Sequence, residues 1–173
     1  MEQDNNTNAP HFLLLGKTGV GKSTISKILS ENESIVIGDS FEPQTQQSNS
    51  YECKIGGFNF SLIDTPGYDD NKQNDNKHFE EIKQMLSSDN YNIKGIFLVF
   101  SFQDVRFSDS HRQGFQKIVN LVPLDNFWDY FGIIFTKTYK DPGDDDDLED
   151  IKKEKLEDLK SIFEDLIGGL QKN

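Results

Sequence analysis

Short apolar runs alternate along this chain with segments in which apolar side chains recur every third or fourth residue. The run His11-Phe12-Leu13-Leu14-Leu15 is continuous and apolar, which suits a strand buried on both faces of a parallel sheet. A glycine-rich turn follows it, and Ile25, Ile28 and Leu29 then recur at helical spacing, so the unit reads strand, loop, helix. From Ser50 onward Tyr51, Cys53 and Ile55 alternate with polar residues, Gly56-Gly57 marks a turn, and Phe58, Phe60 and Leu62 alternate again, predicting a hairpin. Phe79, Ile82 and Leu86 share a helical face, residues 95–101 read as a buried strand, and Phe115, Ile118, Val119 and Val122 mark another helix. Residues 131–135 are a further strand. Leu148, Ile151, Leu159, Ile162, Phe163, Leu166 and Leu170 predict a long amphipathic helix, supported by Glu149 and Lys153 four positions apart.

Strands alternating with helices imply an α/β fold: a mainly parallel sheet with helices on both faces, the hairpin adding one antiparallel edge strand. At 173 residues there is room for one such core. We read residues 1–10 as a polar, disordered tail and 11–173 as a single domain. Ligands of such sheets bind at the carboxyl ends of the strands.

Charge narrows the partners. With 30 acidic against 18 basic side chains the net charge is −12, which repels nucleic-acid phosphates and anionic lipid headgroups, so any phosphate must be captured locally. Cys53 is the only cysteine, so an internal disulfide is excluded and a reducing, cytoplasmic setting is expected. The first ten residues lack the basic and apolar regions of a signal peptide. The longest apolar runs, 12–15 and 96–100, are far shorter than a membrane span. Membrane contact is expected only through a C-terminal extension. His11, His78 and His111 are scattered, and the acidic run 144–147 lacks the ligand spacing of a calcium loop, fitting a helix entry instead.

The chemistry sits in the first turn. Gly16-Lys17-Thr18-Gly19-Val20-Gly21-Lys22-Ser23, followed by Thr24, fits G-x-x-x-x-G-K-[ST] between a strand and a helix. Glycines let backbone N–H groups curl around phosphates, and the helix N-terminus adds partial positive charge. Lys22 is expected to reach the β- and γ-phosphates, and Ser23 to ligate Mg²⁺. Asp64-Thr65-Pro66-Gly67 closes the hairpin's second strand; Asp64 is expected to meet Mg²⁺, usually through water, and Gly67 to offer its N–H to the γ-phosphate. Thr45, in the polar stretch before the hairpin, is a candidate second hydroxyl ligand. These assignments specify a three-layer P-loop nucleotide-binding fold.

The blocks GKTGVGKS, DTPG, IFLVFSFQDVRFSDSHRQGF and WDYFGIIFTK together resemble the AIG-type, immunity-associated (GIMAP-like) GTPases of the TRAFAC class, relatives of the chloroplast-import and septin GTPases. The resemblance runs over residues 11–137, and its most diagnostic element is Arg106-Phe107-Ser108-Asp109, similar to that family's Arg-Phe-Thr box. It implies GTP and GDP binding with Mg²⁺, slow hydrolysis, and homodimerisation or assembly in the triphosphate state. The guanine-reading tetrad departs from the pattern, because Thr136-Lys137-Thr138-Tyr139 places tyrosine where aspartate is usual. Lys137 is then expected to stack on the base, with Thr138 or Asp141 accepting its hydrogen bonds. The family also continues into another strand, so the domain is expected to be truncated before its last strand.

Tyr68 stands where small switch GTPases place the glutamine that orients water, so unassisted turnover is expected to be slow, on the order of 10⁻⁴ to 10⁻² per second. The chain has two arginines, Arg106 and Arg112. Arg106 is expected either to reach a partner's nucleotide across a dimer interface or to pair with a local carboxylate. A GTP-driven switch or assembly module is the leading reading. An ATP-using P-loop enzyme, such as a kinase, and a GTP-holding scaffold without turnover are the alternatives.

Overall fold

A computed structural model describes residues 9–37, 45, 47–68, 72–88, 90–103, 109–120, 127–138 and 145–170. Within them the chain runs β1 (His11–Leu15), α1 (Lys22–Ser30), β2 (Asn49–Ile55), β3 (Phe58–Asp64), α2 (Lys72–Leu86), β4 (Ile93–Ser101), α3 (Asp109–Val119), α4 (Phe127–Tyr130), β5 (Phe131–Thr136) and α5 (Asp145–Leu170). The strands form one sheet in the order β2-β3-β1-β4-β5. β1 pairs in parallel with β3 and β4, β4 pairs in parallel with β5, and β2 pairs antiparallel with β3. This is the mainly parallel sheet with one antiparallel edge that the pattern predicts. The edge forms because Gly56 and Gly57 adopt φ of 56° and 85°, the left-handed pair that closes a two-residue turn between Ile55 and Phe58.

β1 is apolar on both sides because both sides are covered. Leu13 and Leu15 join Ile63, Ile96, Leu98 and Phe100 under Phe79 and Ile82 of α2, Phe115, Ile118 and Val119 of α3, and Leu159 and Phe163 of α5. Leu14 points the other way, into a smaller cluster with Cys53, Phe60, Leu62 and Val99, packed by Ile25 and Leu29 of α1. Among the described residues, α2, α3 and α5 therefore cover one face and α1 the other. The Phe115 and Phe163 rings stack with centroids 3.7 Å apart and tie α3 to α5.

Several expectations are corrected. Ile28 is 68% exposed although it shares the apolar spacing of α1. α1 turns Lys22 and Ser26 towards the sheet, and Ile28, two residues beyond Ser26, lies roughly 200° round the axis. Ile151 is also exposed, because eight residues before Leu159 it falls about 80° off the buried line of α5. Ile55 and Phe58 are more than half exposed at the hairpin tip. β4 starts two residues before the expected 95, at Ile93. α3 ends at Val119, and Val122 lies outside the described residues. The single-turn α4 has no forerunner in the pattern. Most of the 1–10 tail lies outside the described residues.

In register, Leu14 faces Asp64, so β1 and β3 end within a residue of each other, while β4 runs on three residues past Leu98, the partner of Leu15, and ends level with β5 at Ser101 and Thr136. The loops after β1, β3 and β5 therefore meet at one end of the sheet.

Candidate functional site

Gly16 follows β1, and the loop then turns through Gly19 at φ 77° and Gly21 at φ 99°, left-handed conformations that side-chain-bearing residues rarely adopt. Gly21 caps α1 without a side-chain hydrogen bond, and no acidic residue occupies the first turn. The leading amides of α1 are thus uncapped by any side chain and carry the positive end of the helix dipole, an arrangement suited to an anion. Lys22 is buried along this loop, its Nζ donating to Gly16 O and Lys17 O at 2.9 Å each. Thr24 follows in the first turn, while Thr18 and Gly19 are exposed at the rim and Val20 is buried beneath.

The three expected metal ligands come together. Ser23 Oγ donates to Asp64 Oδ2 at 2.7 Å and lies 3.1 Å from Thr45 Oγ1. Asp64 is only 1% exposed, and its Oδ1 has no hydrogen-bond partner among the described residues. Burial pushes its carboxyl above the ordinary carboxylate range, while the Ser23 hydroxyl and the nearby Lys22 ammonium pull it part of the way back. A buried carboxylate with one bare oxygen beside two hydroxyls fits Mg²⁺, a hard cation that takes oxygen ligands and keeps some of its water. Among the described residues no group of three or more His, Cys, Asp or Glu is placed to hold a metal ion. Three oxygen ligands would leave further positions of such an ion to water and phosphate oxygens.

The segment after β3 is laid against the loop after β1. Thr65, fully buried, donates to Leu14 O at 2.6 Å. A Cβ on Gly67 would collide with the backbone and hydroxyl of Thr18, so only glycine permits this approach. Beyond it, Tyr68 N donates to Gly16 O and Thr18 N donates to Tyr68 O, both at 3.4 Å, making a parallel bridge between Lys17 and Tyr68. Tyr68 is 8% exposed, and its ring packs beside Phe79, at 6.3 Å between centroids, and against Gly114. It takes the sequence position of a water-orienting glutamine but spends its side chain in the core.

The structure adds Thr136 to the residues that shape the site. Thr136 Oγ1 donates to Val20 O at 2.5 Å, with Phe100 O at 3.1 Å, and its side chain packs against Gly21. It ties the end of β5 to the phosphate-loop backbone; its place at the head of the tetrad was the available signal. Lys137, at φ 54°, and Thr138 follow it, both exposed. Arg106 and Asp141 lie outside the described residues.

Comparison with known proteins agrees with this geometry. The AIG1 family pattern matches residues 11–168. The chain belongs to the AIG1 family. The AIG1 match covers every described element from β1 to most of α5. GTP-binding protein A of Dictyostelium discoideum is 32% identical over 108 residues, which are 61% of this chain and 23% of that protein. Among solved structures, Toc33 of Arabidopsis thaliana in complex with GDP and Mg²⁺ superposes with a TM-score of 0.71 at 24% identity. A dimerisation-deficient arginine-to-alanine mutant of Toc33 superposes with a TM-score of 0.73 at 22% identity. Both alignments cover 93% of this chain and 64% of the Toc33 chain. The chain thus spans under a quarter of the curated relative and less than two thirds of Toc33.

Proposed function

We propose that this chain binds GTP and GDP with Mg²⁺ at residues 16–23 and slowly hydrolyses GTP, working as a nucleotide-dependent switch or assembly module. The observation that carries the reading is the convergence of Ser23, Thr45 and Asp64, with a bare carboxylate oxygen, beside an uncapped helix start and Lys22. Lys22 and the loop amides bind and orient the phosphates; Ser23, Asp64 and Thr45 hold Mg²⁺, which when bound offsets charge on the phosphate oxygens. Guanine rather than adenine is supported by AIG1 membership and by the GTP-binding relative. Lys137 and Thr138, exposed just beyond β5, are assigned to base recognition, and Asp141 belongs to the same reading.

Equilibrium titration with fluorescent GDP, GTP and ATP, with and without Mg²⁺, tests the proposal. Guanine nucleotides should bind at least about tenfold tighter than ATP, and Lys22→Ala should abolish binding. Equal retention of ATP, or an indifferent Lys22→Ala, sinks it.

Low turnover belongs to the same reading, because the Tyr68 ring lies in the core rather than at the phosphates. We further propose that a second copy completes the site when GTP is bound, through Arg106, one of the chain's two arginines. The dimerisation-deficient arginine mutant of Toc33 supports this assignment. Phosphate release per molecule should rise with protein concentration and lose that dependence in Arg106→Ala; a wild-type rate independent of concentration refutes the dimer. A cytoplasmic setting completes the proposal, supported by the single, buried Cys53, and a fluorescent fusion found only in an oxidising compartment would contradict it.

A further inference from the structure

Gly114 stands in the middle of α3, where glycine is a poorer helix former than alanine and no turn calls for it. A Cβ at this position would sit 2.5 Å, 2.8 Å and 2.9 Å from Cε2, Cδ2 and Cζ of Tyr68. Such approaches are far inside ordinary carbon contact, so the missing side chain is the seat of the ring. The opposite wall is Phe79 of α2, covered in turn by Lys117 of α3, whose Nζ lies 5.1 Å from the ring centroid and donates to Asn76 Oδ1 at 3.1 Å. The Tyr68 ring is therefore wedged between α2 and α3.

The backbone of the same residue does a different task. Its N–H and C=O make the two 3.4 Å bonds to the phosphate loop, and Gly67 immediately before it rests on Thr18. Those bonds are long, whereas the ring is buried, against Gly114 and beside Phe79. Gly67 is thus held between its contact with Thr18 and the seat of the next residue's ring, so a shift of the ring in its seat changes where the Gly67 N–H points.

We propose that the Tyr68 ring and the bare face of Gly114 form a socket coupling the triphosphate-sensing Gly67 to helix α3, which makes Tyr68 a positioning residue for the Gly67 amide. This rests on the nucleotide reading above and deepens it. A diphosphate has no γ-phosphate for Gly67 to meet, so the socket acts on triphosphate affinity alone. The coupling also has an outlet, because α3 is stacked on α5 through Phe115 and Phe163. A shift of the ring on triphosphate binding is passed to the helix pair that forms the larger core.

The test combines Gly114→Ala with two Tyr68 backgrounds. Affinities for fluorescent GDP and a non-hydrolysable GTP analogue, both with Mg²⁺, are measured alongside thermal unfolding of the nucleotide-free protein. Gly114→Ala should weaken the triphosphate by about tenfold, within the usual span of coupling between sites, and leave GDP within about twofold. Tyr68→Phe, which keeps the ring, should hold the wild-type ratio of the two affinities. In a Tyr68→Ala background the Gly114→Ala change should leave that ratio unaltered. Its effect on melting temperature should also reverse sign, from a loss to a gain, because alanine is the better helix former once the ring is gone. The inference is overturned if Gly114→Ala keeps the wild-type ratio, weakens both nucleotides equally, or shifts melting in the same direction in both backgrounds. Wild-type protein that binds neither nucleotide overturns the nucleotide reading itself, and that outcome is visible before any variant is made.

Discussion

Replacing Thr136 by valine isolates one hydroxyl at the junction of the two ligand loops. Valine keeps the branched shape and the packing on Gly21, but removes the donor that meets Val20 O at 2.5 Å. Val20 is 4% exposed, so its carbonyl is left with little access to water. An unsatisfied buried carbonyl costs about 1–3 kcal/mol. For a chain of this size 1 kcal/mol corresponds to roughly 2–4 °C in melting temperature, so thermal unfolding followed by circular dichroism should shift down by roughly 2–12 °C. The loss should extend to binding, because Val20 lies between Gly19 and Gly21, two left-handed residues that its peptide must hold in line. Nucleotide affinity is expected to fall by about tenfold for each 1.4 kcal/mol of loop order that the bound state has to restore. Thr138→Val, two residues on and exposed, is the stability control and should stay within about 0.5 kcal/mol. If Thr136→Val melts and binds nucleotide like wild type, the hydroxyl is not what holds the loop, and the account of the junction is wrong.

Gly67→Ala should push its segment off Thr18 and displace the N–H proposed to meet the γ-phosphate, weakening triphosphate binding at least about tenfold; unchanged affinity for a GTP analogue would contradict the proposed contact. Phe163→Ala removes a fully buried ring stacked on Phe115 and should cost about 3–5 kcal/mol in urea unfolding, whereas a loss below about 1 kcal/mol would mean that α5 is not seated as described. Burial pushes the Cys53 thiol up, with the Leu62 backbone hydrogen bond pulling it part of the way back. Its folded value therefore lies above the unfolded one of about 8.5, so its contribution to stability is complete below that pH and is lost as pH rises through the folded value. The urea midpoint should fall on the alkaline side and fall less in Cys53→Ala; identical alkaline profiles for the two proteins would refute the assignment.

The phosphate loop, the hairpin and most strands were legible from the order of residues because each is decided within a few positions. Eight consecutive residues, 16–23, spell a turn that only glycines complete and a helix that starts on it. Ser23 and Asp64, which the structure brings within 2.7 Å, were legible as candidates for a related reason: Ser23 ends that motif and Asp64 ends a strand marked by its alternation. Ile28 and Ile151 were misplaced because helical spacing gives a set of apolar positions but not the width of the face that another element will cover.

Direction across the fold was decided only in three dimensions. Tyr68 reads from its neighbours as a replaced glutamine, yet its ring goes to the core because Gly114, far along the chain, leaves a seat for it. Thr136 reads as the first letter of a base-recognition loop, yet its hydroxyl is spent on Val20, 116 residues earlier. Among the described residues α2, α3 and α5 cover one face of the sheet and α1 the other, a difference that no single amphipathic pattern contains. The physical reason is the same in each case. Local order follows from backbone sterics and nearest neighbours, whereas the aim of a side chain follows from packing and hydrogen bonds with whatever the fold brings beside it.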